Sequence, residues 1–196
     1  MRKTLLLLII LGLGTSAFSQ EYKKLRLLLG LGIGSIGSSG PIYSSMNDAG
    51  IILIFAEPSY RISQRFNLGL RLEAGGHVIG GGYAVTSYGI GGQYYFSNSK
   101  LKPFCGIGLA NYHPMLGGGS FYSYGSRNEK WVLGVYPRVG FDFGHLTVMA
   151  DYNFMPLSET VITYPGQQQL PSITDKIDGT YFGFKIGVSI GGGRKK

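Results

Sequence analysis

A two-residue alternation runs through this chain from about residue 25 to residue 190 and dictates what it can become. From Tyr181 to Ile190, Phe182, Phe184, Ile186, Val188 and Ile190 fall on one side, and Gly183, Lys185, Gly187 and Ser189 on the other. A strand divides its side chains this way, because successive Cβ atoms point to opposite faces. From Gly144 to Phe154, Leu146, Val148, Ala150, Tyr152 and Phe154 oppose Thr147, Met149, Asp151 and Asn153. From Phe66 to Ala74, Phe66, Leu68, Leu70 and Leu72 oppose Asn67, Gly69, Arg71 and Glu73. Trp131 to Phe143 sets Leu133, Val139, Phe141 and Phe143 against Gly134, Tyr136, Arg138 and Asp142. Leu25 to Ile33 repeats the pattern with Arg26, Leu28, Gly30 and Gly32 on the second face.

Three less regular segments, Ile51 to Ile62, Tyr83 to Phe96 and Lys102 to Tyr112, bring the predicted strands to eight. Pro58, Pro103 and Pro137 lie inside them, each removing a ladder donor. Bulges are expected at Pro58 and Pro137. The connections alternate in length. Ser63-Gln64-Arg65, Ser97-Asn98-Ser99 and the break at Gly144 are tight, whereas Ser35 to Gly50, Gly75 to Gly82, His113 to Lys130 and Pro156 to Gly179 are long. An up-and-down antiparallel meander places short turns at one end and long loops at the other, as membrane barrels do.

Which face is wet decides the class. A soluble barrel of the lipocalin kind would turn its apolar face inward and carry Lys, Glu, Thr and Gln outside. Here the second face carries mostly glycine, with charges of both signs: Arg26, Glu57, Arg61, Arg71, Glu73, Arg138, Asp142, Asp151 and Lys185. Small residues and opposed charges describe a narrow interior, and the nearly uncharged face suits lipid. Glycine is 33 of 196 residues and charged residues are 14%, where about 25% is usual for soluble domains. Only helices or closed barrels span hydrocarbon, because every backbone group must be satisfied internally. After the first twenty residues no apolar run is long enough for a helix to cross. The expected fold is therefore all-β, an eight-stranded antiparallel up-and-down transmembrane β-barrel.

Aromatic residues mark both expected interfaces. Tyr60, Phe66, Tyr94, Tyr95, Phe96, Phe104, Phe141 and Phe143 lie near the short turns; Tyr83, Tyr112, Trp131, Phe154 and Tyr181 lie near the long loops. Residues 1–19 read as a secretory signal peptide: basic Arg2-Lys3, an apolar stretch from Leu5 to Leu13, then small-x-small Ala17-Phe18-Ser19. Cleavage is expected after Ser19, or after Gln20. Losing Arg2 and Lys3 takes the formal charge from +8 to +6. The predicted division is signal peptide 1–19, barrel 20–193 and basic tail 194–196.

Four stretches carry a family resemblance: Glu57-Pro58-Ser59-Tyr60-Arg61-Ile62, Leu68-Gly69-Leu70-Arg71-Leu72-Glu73, Gly106-Ile107-Gly108-Leu109-Ala110 and Tyr181-Phe182-Gly183-Phe184-Lys185-Ile186-Gly187. With them the chain resembles the outer-membrane β-barrel domain family, also called porin-family proteins, similar in architecture to the transmembrane domain of outer-membrane protein A. The resemblance spans Tyr22 to Gly193. It implies a Gram-negative cell outer membrane as the location, with outer-membrane lipid and the barrel-assembly machinery as partners. The chain departs from that family in ending Gly193-Arg194-Lys195-Lys196 rather than on an aromatic residue.

Few motifs point to catalysis. Gly32-Ile33-Gly34-Ser35-Ile36-Gly37 matches G-x-G-x-x-G, but nothing after it makes the helix a dinucleotide site needs. His77, His113 and His145 have no metal-ligand spacing, and single Cys105 builds no thiolate site. Ser120, Ser123 and Ser126 near His113 lack an acid to orient that histidine. No enzyme activity, cofactor, metal or nucleic-acid partner is expected. The inward charges are the candidate site: a polar lumen network of Glu57, Arg71, Glu73, Arg138, Asp151 and Lys185. An eight-stranded barrel is just wide enough for side chains to fill, so the network reads as a plug, with a gated conduit as the alternative. The expected role is structural or surface-binding, through four outer loops whose Gly, Ser and Tyr suit an extracellular ligand. The alternative function is a narrow, porin-like pore for ions or small solutes.

Overall fold

The computed structural model describes residues 23–36, 50–77, 84–115, 126–128, 130–156, 158–163, 173–177 and 179–192. Among these residues eleven strands form: β1 Leu25–Ile36, β2 Gly50–Arg61, β3 Phe66–His77, β4 Ala84–Tyr95, β5 Leu101–Met115, β6 Ser126–Asn128, β7 Val132–Phe143, β8 Leu146–Asn153, β9 Ser158–Thr163, β10 Ile173–Ile177 and β11 Tyr181–Gly191. Eight of them close a barrel in the order β1-β11-β8-β7-β5-β4-β3-β2, every pair antiparallel. The expected signal peptide and basic tail lie outside the described residues.

The stagger of the strands follows from their register. Passing from Arg26 through partners Ser59, Gly69, Gly91, Gly108 and Tyr136, then in the same register through Asn153 and Tyr181, leads back to β1 at Ile36, ten residues further on. With eight strands and ordinary strand spacings this stagger tilts each strand by about 40°. A tilted strand of twelve residues then rises about 30 Å, the thickness of a hydrocarbon core.

The prolines do not distort the ladders. Pro58 pairs with Leu27 on β1, and the β2–β3 ladder omits it but resumes in the same register, Ala56 with Leu72 and Ser59 with Gly69. Pro137 pairs with Ile107, and the β7–β8 register from Arg138–Asp151 continues at Val135–Phe154. The bulges expected at Pro58 and Pro137 are therefore absent: each proline loses one donor toward one neighbour, and no residue is inserted. Pro103 turns its carbonyl toward β4 and accepts from Phe96 N at 3.0 Å.

Each tight turn has a local cause. Ser63 Oγ accepts from Phe66 N at 3.0 Å, and Ser97 Oγ from Ser99 N at 3.1 Å. Gly144 supplies the left-handed residue (φ +61) of the Gly144-His145 turn. Asn98 Nδ2 donates to Gln64 Oε1 at 3.0 Å and ties two turns together. At the opposite end the long connections are not wholly irregular. β6, β9 and β10, drawn from the stretches read as loops, form a second sheet in the order β10-β9-β6. His77 and His113 likewise lie at strand ends rather than in loops.

The barrel is inverted relative to a soluble protein. Leu70 is 56% and Phe184 48% exposed on the outside, and Val148 also faces out. Lys185 is 0% and Arg71 1% exposed inside. Tyr60, Phe66, Tyr94, Phe96, Phe141 and Phe143 stand outside near the short turns, and Trp131 and Phe154 outside near the loop end. Tyr95, Phe104, Tyr112 and Tyr181, expected in these girdles, instead point inward and are buried. Their parity explains it: Tyr95 shares a face with Gln93, and Tyr181 with Lys185. Tyr83 lies outside the described residues.

Candidate functional site

The lumen is filled in three levels along the strands. On β2, for instance, Ile51 and Leu53 lie nearest the loop end, Glu57 follows, and Arg61 lies at the turn end. The loop-end level is apolar and tyrosine-rich, with Ile51, Leu53, Val85, Tyr112, Met155 and Tyr181 in one cluster. The middle level holds all six residues singled out from the sequence. Leu28, Phe55, Tyr95, Phe104 and Met149 form a second cluster.

The six charges make one connected array. Arg138 grips Glu57 with two parallel bonds, Nη1 to Oε2 at 2.7 Å and Nη2 to Oε1 at 2.8 Å. This bidentate form is the strong geometry for a guanidinium and a carboxylate. Glu73 accepts from Arg71, Lys185 and Tyr181. Lys185 Nζ also donates to Asp151 Oδ2 at 2.5 Å, and that oxygen lies 3.8 Å from Arg71 Nη1 and 3.9 Å from Arg138 Nη2. Three cations and three carboxylates therefore balance. The Tyr136 ring lies against both guanidiniums, 4.4 Å from that of Arg71 and 4.9 Å from that of Arg138.

These pairs span the bore. β2 and β7 are four steps apart round the eight-strand ring, so Glu57 and Arg138 meet across its diameter. Arg71 on β3 and Asp151 on β8 stand opposite in the same way. Glycines make the room. A Cβ on Gly32 would lie 2.7 Å from Lys185 Cγ, and one on Gly183 2.6 Å from Asp151 Oδ1. This accounts for the first glycines of the G-x-G-x-x-G match: Gly32 and Gly34 lie in β1 and face the lumen.

A second array, which the sequence did not single out as a site, lies toward the short turns. Arg26 donates to Asp142 at 2.9 Å, Tyr95 Oη at 2.7 Å and Thr147 Oγ1 at 2.7 Å. Tyr95 Oη and Thr147 Oγ1 in turn donate to Asp142 at 3.0 and 2.7 Å. Arg26 and Asp142 were visible on the inward face; reading the parity of Tyr95 and Thr147 would have joined them. Between the two arrays lies a cavity of about 20 Å³ lined by Asn67, Arg71, Gln93 and Arg138 among others, room for about one water.

Two of the histidines have simple surroundings. The His113 ring packs on Trp131 at 4.8 Å, and His145 Nδ1 lies 2.8 Å from the Ser189 carbonyl. Ser120 and Ser123 lie outside the described residues. Among the described residues no three potential metal ligands cluster.

No protein-family model and no curated protein matches the sequence. Solved structures do match by shape. Outer membrane protein OprG from Pseudomonas aeruginosa aligns with a TM-score of 0.58 at 12% identity, over 87% of this chain and 97% of that one. Neisserial surface protein A aligns at 0.53 and 13% identity, over 88% of this chain and 97% of that one. By fold this chain is a closed eight-stranded antiparallel β-barrel, similar to those two outer-membrane proteins.

Proposed function

We propose that this protein resides in a bacterial outer membrane as a closed barrel, and acts through what its loop end presents rather than through what passes along its axis. The Glu57–Arg138 pair carries this reading. It crosses the diameter of the lumen with both charges buried, and Arg71, Glu73, Asp151 and Lys185 fill the remaining section. A solute would have to part ion pairs in a medium of low dielectric, where separating them leaves unpaired buried charge. The apolar, tyrosine-rich level above adds a second barrier. The small second sheet, β6, β9 and β10, supports a structured outer end suited to binding. Outer-membrane lipid, the assembly machinery that inserts such barrels and an extracellular ligand at the loops are the partners this role requires. Catalysis has no part in it.

Planar-bilayer recording tests the proposal. The purified barrel should give no reproducible conductance steps, and Glu57→Ala/Arg138→Ala, which removes one of the two pairs across the bore, should give at most a small leak, because Arg71, Asp151 and the apolar level remain. Regular steps from the unaltered protein would establish the narrow pore instead.

A further inference from the structure

The charge of this barrel is segregated along its axis. At the short-turn end the described residues include Lys23, Lys24, Arg26, Arg61, Arg65, Lys100 and Lys102, against one acid, Asp142. The middle of the lumen is neutral, its three cations matched by Glu57, Glu73 and Asp151. At the basic end a recess of about 560 Å³ opens between the turns, lined by Arg61, Lys100, Lys102, His145 and the Arg26–Asp142 pair. That is the size of a small-ligand pocket.

Three features point to an anion. First, among the described residues Asp142 is the only carboxylate lining the recess, and its oxygens already accept from Arg26, Thr147 and Tyr95. Secondly, the Arg61 guanidinium is positioned rather than trailing: Nη1 donates to the Gly192 carbonyl at 3.1 Å, and the group lies 5.1 Å from the centre of the Tyr95 ring. Gly191 and Gly192, at positive φ, bring that carbonyl to it. Thirdly, the buried Arg26–Asp142 pair lines the inner side of the recess. A concave surface of one sign with low-dielectric walls concentrates counter-ions. Several cations around one concavity match a phosphate, whose oxygens accept from more than one donor.

We propose that this recess is a binding site for a phosphate-bearing anion, either a free phosphate or the headgroup of an anionic lipid in the adjoining leaflet. Phe143, exposed on the lipid-facing side, also lines it, so a headgroup has a lateral way in.

The test uses the barrel reconstituted in phosphatidylcholine nanodiscs, titrated in one arm with inorganic phosphate and in the other with increasing phosphatidylglycerol. The readout is the backbone amide shifts of Gly144, Gly191 and Gly192. Saturable shifts in the lipid arm alone identify a headgroup; saturable shifts with inorganic phosphate identify the free anion. Either result supports the site. Lys100→Gln/Lys102→Gln should weaken binding by about tenfold or more, since each lysine contributes appreciably near anionic groups. Lys100→Arg/Lys102→Arg should retain binding, and so should Lys23→Gln/Lys24→Gln, which removes as much charge outside the recess. No saturable shift in either arm, or equal weakening by both Gln pairs, overturns the proposal. Heat-shifted gel mobility shows in each case that the barrel is folded, so failure here is distinct from failure of the closed-barrel reading.

Discussion

Glu73 is the residue on which the middle array converges, since its carboxylate alone accepts from Arg71, Lys185 and Tyr181. Glu73→Gln should destabilise the barrel by about 3–5 kcal/mol, because three buried cations then face only two carboxylates. Urea unfolding in lipid vesicles measures it. Adding Lys185→Met should recover part of the loss, because it restores a balance of two buried cations and two carboxylates. The six charges were legible in the sequence because the side-chain period fixed their face. What parity did not give was their reach: nothing in the spacing of Glu57 and Arg138 says that they meet across the bore. Tyr95, Phe104, Tyr112 and Tyr181 were misplaced because tyrosine and phenylalanine suit a lipid interface and a packed lumen equally well. There the aromatic type is uninformative and the parity decides.

Strands carry the face rule in its most testable form. Ile186 lies near mid-strand in β11 and faces out, 49% exposed, while Ser189 faces in. Ile186→Arg should cost about 2–4 kcal/mol at the bilayer midplane. Ser189→Thr should cost less than about 1 kcal/mol, a mild interior change. The same unfolding assay compares them, and equal losses would contradict the register. Cys105 offers a chemical check on β5. It alternates with buried Phe104 and so points to lipid. In sealed vesicles it should resist a charged maleimide and react with an apolar, bilayer-soluble one. The eight barrel strands were legible because five repeat a clean alternation over about ten residues and the other three keep it in part. β6, β9 and β10 were not: they span 3, 6 and 5 residues. Their pairing, Ser126 with Thr163 for example, joins segments far apart in sequence. No local period encodes such a contact.

For the whole molecule the decisive property is the inversion of inside and outside. A twelve-residue strand tilted by a stagger of ten residues spans a bilayer, and the apolar faces supply the surface that lipid requires. Closure removes the edges that would leave backbone groups unpaired in hydrocarbon. The sequence disclosed this architecture because lipid and lumen impose opposite demands on alternate residues. It disclosed less of the loop end, where neither demand operates. One experiment reads the inversion directly: a nitroxide placed at each position from 181 to 190 in turn, in a Cys105→Ser background, with collision rates measured against oxygen and a water-soluble nickel complex in bilayers. A two-residue oscillation is expected, with oxygen contact high at 182, 184, 186, 188 and 190 and both reagents excluded at 183, 185 and 187. Uniform accessibility along β11, or oxygen maxima on the Lys185 parity, would contradict it.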